Sequence, residues 1–224
     1  MSAAGASHAT VQLAGETVLL LAQKALYWPA QKMLMVADIH FGKAASFRAL
    51  GVPVPHGTST QNLEALDLLL ARHAVGHIVF LGDFLHARAA HAVSTIGAML
   101  AWRARHPHVR LTLVRGNHDV HAGDPPPALL LNMVDEPFQV GPFHLCHHPD
   151  LPPDGGAAYV LAGHVHPVFR LTSGRETLRL PCFVVGPERL ILPSFGAFTG
   201  GHAIVRAADE RIFLVAGEAV LEVV

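Results

Sequence analysis

At 224 residues with 51% apolar content, the chain is long enough to fill one sizeable core and short enough to be a single domain. Its 16 Lys+Arg against 17 Asp+Glu exclude a global attraction to nucleic acid or to an anionic membrane, so a polyanion has to meet a local patch. Two cysteines, Cys146 and Cys182, lie outside any C-x-x-C pair, which excludes a disulfide framework and makes buried thiols of both.

The N-terminal stretch MSAAGASHATVQLAGETVLLLAQK has no basic leader region, and its apolar run is interrupted by Glu16 and too short to span a bilayer. A cytoplasmic enzyme with no membrane partner is expected. Short apolar, β-rich runs then recur at Thr17–Ala22, Met33–Ala37, His77–Leu81, Val109–Val114, Phe143–Cys146, Ala158–Ala162, Phe183–Val185, Leu190–Leu192 and His202–Val205, and all read as strands. Two segments carry helical spacing instead. In Thr58–His73, Leu63, Leu66, Leu69 and Leu70 share a face, with Thr58 and Gln61 placed as a capping box. In Ala89–Arg105 the face is Val93, Ile96, Leu100 and Trp102, with Gly97 as a weak point. No repeat, low-complexity block or Gly/Ser linker divides the chain, so one domain over residues 1–224 is expected. Strand and helix alternate in the first half and strands dominate the second, which favours an α/β (α+β type) fold: two packed mixed β-sheets forming a sandwich flanked by helices.

The polar residues fall where such sheets build sites, at the C-terminal ends of the strands. The run MLMVA leads into Asp38-Ile39-His40, IVFL into Gly82-Asp83-Phe84-Leu85-His86, VRLTLV into Arg115-Gly116-Asn117-His118-Asp119, FHLC into His147, and YVLA into Gly163-His164-Val165-His166. Residues i and i+2 of an extended segment face one side, so Asp38 with His40, and His164 with His166, each offer two ligands to one locus. Glycine before Asp83, Asn117 and His164 lets the backbone turn sharply and brings each side chain close to an ion. Asp38, His40, Asp83, Asn117, His147, His164 and His166 are too many donors for one tetrahedral ion. Two ions sharing a carboxylate use them naturally. Carboxylate, imidazole and amide donors without a thiolate argue for Mn, Fe or catalytic Zn rather than structural zinc. Such a pair, typically ~3.5–4 Å apart, clamps phosphoryl oxygens and lowers the pKa of a bound water to roughly 7 from roughly 15.7, so hydroxide is the expected nucleophile. His118, beside Asn117, is placed to protonate the leaving oxygen, with Asp119 available to orient its ring.

In order, the blocks DIH, GDFLH, GNHD, HHP and GHVHP resemble the signature of calcineurin-like metallophosphoesterases, which implies a two-sheet sandwich with a dinuclear centre. A longer set, ADIHFGK, FRALGVPVP, LGDFLH, RGNHD, LCHHP, LAGHVHP, LPCF and LILPSFGAFTGG, is similar to the PdeM-type, ligase-associated DNA damage response endonucleases. That resemblance implies a Mn-dependent phosphodiesterase encoded beside an ATP-dependent DNA ligase, a helicase and a nuclease. It also implies a division of ligands, one ion taking Asp38, His40, Asp83 and His166, the other Asp83, Asn117, His147 and His164, with Asp83 bridging. The second block ends in His86 where G-D-x-x-D is commoner, and the resemblance places His86 beside the substrate. In HHP, His148 stands where the family often has an acidic residue; His147 is preferred as ligand because it lies nearer the strand end.

Lys43 and Arg48, just after the first metal block, are candidate contacts for substrate phosphate, against the plainer reading of solvated helix residues. Phe195 and Phe198, in SFGAFTGG, either shape a substrate-facing loop or turn the chain between strands. The expected activity is phosphodiester hydrolysis, with DNA favoured on family resemblance and a role in DNA repair implied. The alternatives are a phosphomonoesterase or small-nucleotide phosphodiesterase on the same centre, and a scaffold that has lost turnover, a reading disfavoured by the presence of His118.

Overall fold

In the computed structural model, which describes residues 6–49, 51–52, 58–150, 158–174 and 176–223, each half of the chain forms one sheet. The first half supplies β1 (His8–Leu13), β2 (Glu16–Leu21), β3 (Ala25–Trp28), β4 (Met33–Ala37), α1 (Lys43–Ala49), α2 (Thr58–Arg72), β5 (His77–Leu81), α3 (Val93–Arg105), β6 (Arg110–Val114), α4 (Asn117–Ala122) and β7 (Leu131–Val134). Its seven strands lie side by side in sequence order, antiparallel from β1 to β4 and parallel from β4 to β7. The second half supplies β8 (Phe138–Val140), β9 (Phe143–Leu145), β10 (Tyr159–Ala162), β11 (Pro167–Ser173), β12 (Glu176–Val185), β13 (Arg189–Ile191), β14 (His202–Ala203), β15 (Arg211–Ala216) and β16 (Ala219–Glu222). They run β14-β11-β12-β13-β10-β9-β8, with β15 also paired to β12 and β16 paired to β15. Parallel pairing there joins β10 to β9 and β13, and β11 to β14.

The burial pattern explains why β4, β5 and β6 are mainly apolar with no polar/apolar alternation. Met33, Met35 and Ala37 of β4 face the other sheet together with Val79, Leu81 and Val114. Leu34 and Val36 face the helices, with Ile78, Phe80, Leu111 and Leu113. Both faces of these strands are covered, so every residue of β4 and β5 is buried. The layer between the sheets is completed by Phe143, Leu145, Leu161, Phe183, Leu190 and Phe213 from the second half. Full burial of a side chain of this kind contributes about 1.5–3 kcal/mol. Leu63, Leu66 and Leu69 of α2 and Met99 and Trp102 of α3 close the outer face of the first sheet. The outer face of the second sheet carries Cys182, Val184, Ile191, Ile212 and Leu214, covered by Val165, Phe169, Leu180, Ile204 and Val223.

The expected sandwich is therefore the observed one, with differences in detail. The helix expected over Ala89–Arg105 is broken at Ala92: a single 3₁₀ turn, Arg88–His91, precedes α3. Val93 is 90% exposed at the start of α3, and the buried face is Thr95, Met99, Trp102 and Arg103. Burial of Arg103 is satisfied by bonds of 2.7 Å from its guanidinium to the carbonyls of His106 and Val109 just beyond the helix. The structure adds β1, β3, β7, β8, β11, β15 and β16 to the expected strands, and the short helices α1 and α4. In FRALGVPVP, Leu50 and residues 53–55 lie outside the described residues, as does His56. Among the described residues, no helix is long and apolar enough to cross a membrane.

Candidate metal centre

The five polar clusters do meet, at one edge of the sandwich, but by a different backbone route from the extended i, i+2 geometry expected. Asp38 (φ 52°), His40 (φ 50°), Asp83 (φ 49°), His164 (φ 67°) and His166 (φ 50°) all adopt left-handed conformations. A non-glycine residue avoids that region, and such strain concentrates at functional sites. The first two loops hold each other in place, with His40 N–H donating to the Asp83 carbonyl (2.9 Å) and Phe41 N–H to that of Phe84 (2.8 Å). Of the three glycines read as turn formers, Gly82 alone has positive φ, 74°, and a Cβ there would run into the His147 ring. Gly116 and Gly163 serve close approach instead: a Cβ on Gly163 would come within 2.7 Å of Asp38 Oδ2, and one on Gly116 within 2.5 Å of Asp83 Oδ1.

The donors fall into two groups joined by carboxylates. In the first, Asp38, His40 and His166 bring ligand atoms within 4.8 Å of one another, and His166 Nε2 lies 3.5 Å from Asp38 Oδ1. In the second, His147 Nε2 sits 2.9 Å from Asn117 Oδ1, 3.0 Å from His164 Nδ1 and 3.5 Å from Asp83 Oδ1. Asp83 faces both, because its Oδ2 is 3.6 Å from His40 Nε2. His164 and His166 thus lie in different groups, not at the single locus that their i, i+2 spacing suggests. His147 Nδ1–H donates to the Leu81 carbonyl at 3.2 Å, which turns Nε2 and its lone pair toward the other donors. His148 stands beside it, its Nδ1 held by Glu136 Oε1 at 2.6 Å.

Two observations test whether this set suits cations. Asp38 Oδ1 and both ring nitrogens of His40 are buried with no hydrogen-bond partner, a state that costs about 1–3 kcal/mol for each polar group left so. A bound divalent ion would give a partner to Asp38 Oδ1 and to one nitrogen of the His40 ring. Burial also pushes the His147 imidazole down to about 4 and that of His40 further, so both rings are neutral, the ligating form, across the physiological range. The donor set fits.

Comparison with known proteins agrees with that chemistry. The family model for calcineurin-like phosphoesterases matches residues 32–152, more than half of the chain. The chain belongs to the calcineurin-like phosphoesterase family. Among solved structures it resembles the nuclease MPE of Pseudomonas putida, at 45% identity and a TM-score of 0.85, covering 96% of this chain and 100% of that one. A protein of unknown function from Aquifex aeolicus is similar at 18% identity over 60% of this chain and 78% of its own, with a TM-score of only 0.39. No curated protein matches.

This calcineurin-like phosphoesterase is accordingly a metal-dependent enzyme of a family with dinuclear centres, and further residues surround its donors. His118 has a 39% exposed side chain, where those of Asp38 and His147 are at 0%, and its Nε2 lies 3.9 Å from Asp83 Oδ2. Its ring is oriented not by Asp119 but by the carbonyl of His86, which accepts from Nδ1 at 3.0 Å. Asp119 points the other way, taking the backbone N–H groups of Phe84 (2.9 Å), Leu85 (3.1 Å) and Gly116 (2.9 Å). It fastens the second and third loops together, and burial pushes its carboxyl up to about 6 against those three bonds. His86 packs 5.0 Å from the His118 ring and 5.2 Å from that of His40. Lys43 is partly buried, which lowers its pKa, while the carboxylates of Asp83 and Asp38 oppose the shift. Arg48 lies farther along α1, lining a depression of about 210 Å³ with Thr58, Ser59, Thr60, Ser94 and Thr95. Sequence reasoning missed Glu136, whose Oε2 accepts from the backbone of His147 (2.6 Å) and His148 (2.9 Å). A lone Glu before a proline carries no motif; its partners lie 11 and 12 residues along the chain.

Proposed function

We propose that the protein is a two-metal phosphodiesterase that cuts nucleic acid, DNA in the first instance, as a single cytoplasmic domain over residues 1–224. The observation that carries this reading is the placement of Asp83, its two carboxylate oxygens turned to two separate donor groups 3.6 and 3.5 Å away. Asp38, His40, Asp83 and His166 would hold one ion, and Asp83, Asn117, His147 and His164 the other. Mn suits this mixture of imidazole, carboxylate and amide, with Fe or Zn as alternatives. The 45% identity to a nuclease supports nucleic acid as substrate. The resemblance to ligase-associated endonucleases supports a DNA-repair setting beside an ATP-dependent ligase and a helicase.

When bound, the two cations provide a water of lowered pKa and neutralise charge on the phosphoryl oxygens. The chain's own residues do the rest. His118 keeps its Nδ1–H on the His86 carbonyl, so Nε2, on the open side of the centre, is the atom that holds the proton for the departing oxygen. Asp119 and Glu136 fix the loops that carry His118 and His147. Lys43 adds positive charge at the mouth of the site.

The test is turnover by purified protein with Mn²⁺ against single-stranded DNA, a small diester, a cyclic nucleotide and a monoester, alongside a count of bound metal. Hydrolysis of the diester and of DNA with two ions per chain is expected. Cleavage of the monoester alone, or one ion per chain, would contradict the reading.

A further inference from the structure

The SFGAFTGG segment has no part in the centre just described, yet it is fastened to it from several directions. Ser194 Oγ donates to the Asp38 carbonyl (2.8 Å) and Phe195 N–H to that of Ala37 (2.8 Å). Ala197 N–H donates to Asn62 Oδ1 (2.8 Å), while the same amide's Nδ2 donates to the Ile39 carbonyl (2.9 Å). Half-buried Lys24 reaches the Gly196 carbonyl (3.3 Å), and His166 Nδ1 the Gly200 carbonyl (3.2 Å). A loop tied at so many points holds its side chains in fixed places, and Phe195 is buried beneath it. Phe198 is the exception, a large apolar ring left 38% exposed at the top of a rigid loop.

That ring does not stand alone. Phe198 meets Phe47 edge-on with centroids 5.7 Å apart, Phe47 lies nearly parallel to His86 (6.2 Å, 17°), and His86 nearly parallel to His118 (5.0 Å, 24°). A row of rings therefore runs from His118, beside the metal donors, out to solvent. Lys43 and Phe47, four residues apart on α1, lie on one side of that helix, so a cation and an aromatic face share one path to the centre. Alternating charge and aromatic surface is how proteins hold unpaired nucleotides without reading sequence. A chain of net charge −1 has no wide electrostatic funnel and needs such a local device.

We propose that Phe198, backed by Phe47, is a stacking platform for a nucleobase of the strand whose phosphodiester lies at the metal centre. The proposal rests on the nucleic-acid reading given above. Phe198 acts through the base, and Phe47 is a positioning residue that sets the tilt of the Phe198 ring.

The experiment uses the full-length, Mn²⁺-loaded protein and its Phe198→Ala, Phe198→Leu and Phe198→Trp variants. Substrates are a mixed-sequence single-stranded oligonucleotide and an abasic oligomer of the same length. The ratio of kcat/KM on the first to that on the second is expected to fall about 10-fold or more in Phe198→Ala and Phe198→Leu, the scale of one lost base–aromatic stack, and to return in Phe198→Trp. A parallel measurement, quenching of a 2-aminopurine oligonucleotide by the metal-free protein, reads the stack without cleavage and should weaken in Phe198→Ala. An unchanged ratio, an equal loss on both oligomers, or full recovery by Leu overturns the platform. If the wild-type protein leaves both oligomers intact while quenching still depends on Phe198, the platform stands and the nuclease reading falls.

Discussion

Asp83 does two things at once: it faces both donor groups with its oxygens and takes the His118 backbone N–H at 3.0 Å on Oδ1. Its replacement by Asn keeps the shape and removes the charge shared between the groups, so Asp83→Asn should lose activity and paired metal together. His118→Ala should keep its metal and slow turnover by ~10²–10⁴-fold, the usual worth of a general acid. Elemental analysis of the two variants separates the roles, and metal loss from His118→Ala would overturn its assignment as the proton donor. Gly82→Ala should behave like a ligand variant although it removes no ligand, because the new methyl group meets strained backbone and the His147 ring together. Loss of metal with the fold retained by circular dichroism is the expected result. Residue types were legible in the sequence here, since donors announce themselves by chemistry and by position after strands. Their conformations were not. Left-handed φ at Asp38 and His40 comes from tertiary pairing with the second loop, and the target of Asp119 is set by backbone groups that no side-chain pattern encodes.

Burial made some elements readable and not others: β3, buried throughout, and β15, buried over Ile212–Val215, escaped the sequence reading, whereas the little-buried β14 falls within the expected His202–Val205. β4 and β5, covered on both faces, coincide with the expected Met33–Ala37 and His77–Leu81. β1 and β8 bury little on their outer sides and offer no apolar run to find. α4, Asn117–Ala122, is under two turns long, its start is dictated by Gly116 and the Asp119 carboxylate, and its length is below what periodicity detects. One buried polar pair within these elements has a measurable signature. His77, at the start of β5, is hydrogen-bonded to Thr112 of β6 at 2.9 Å, and burial pulls its imidazole down to about 4. The folded state therefore resists protonating a ring that the unfolded chain protonates near 6.5. Unfolded protein binds more protons between those values, so His77's contribution is full above about pH 6.5 and is lost as pH falls toward 4. Melting temperature should drop across that window, and His77→Gln should show a shallower drop than the parent. An equally steep drop in the variant would assign the effect to other histidines.

At the scale of the molecule, the sandwich was foreseeable from the change in rhythm between halves, alternating strand and helix giving way to strands alone. The order of the second sheet, which places β12 between β11 and β13 and adds β15 beside it, follows from long-range pairing and leaves no local trace. What holds the layers together is the apolar seam between them. Phe183, 0% exposed in that seam, is a fair probe: Phe183→Ala should destabilise by about 3–5 kcal/mol, measured by urea unfolding of the metal-free chain. A change below about 1 kcal/mol would mean that the seam tolerates a void, contrary to its packing.

The division of labour between the halves reaches further than stability. Asp38, His40, Asp83 and Asn117 precede Val134, the last residue of the first sheet, whereas His147, His164 and His166 follow Phe138, the first residue of the second. The short peptide between those two positions, with Glu136 in it, works as a tether that keeps two incomplete sets of donors at high effective concentration. Were that peptide cut, neither fragment would own a working centre, and catalysis would become a bimolecular affair, rising with the product of the two fragment concentrations.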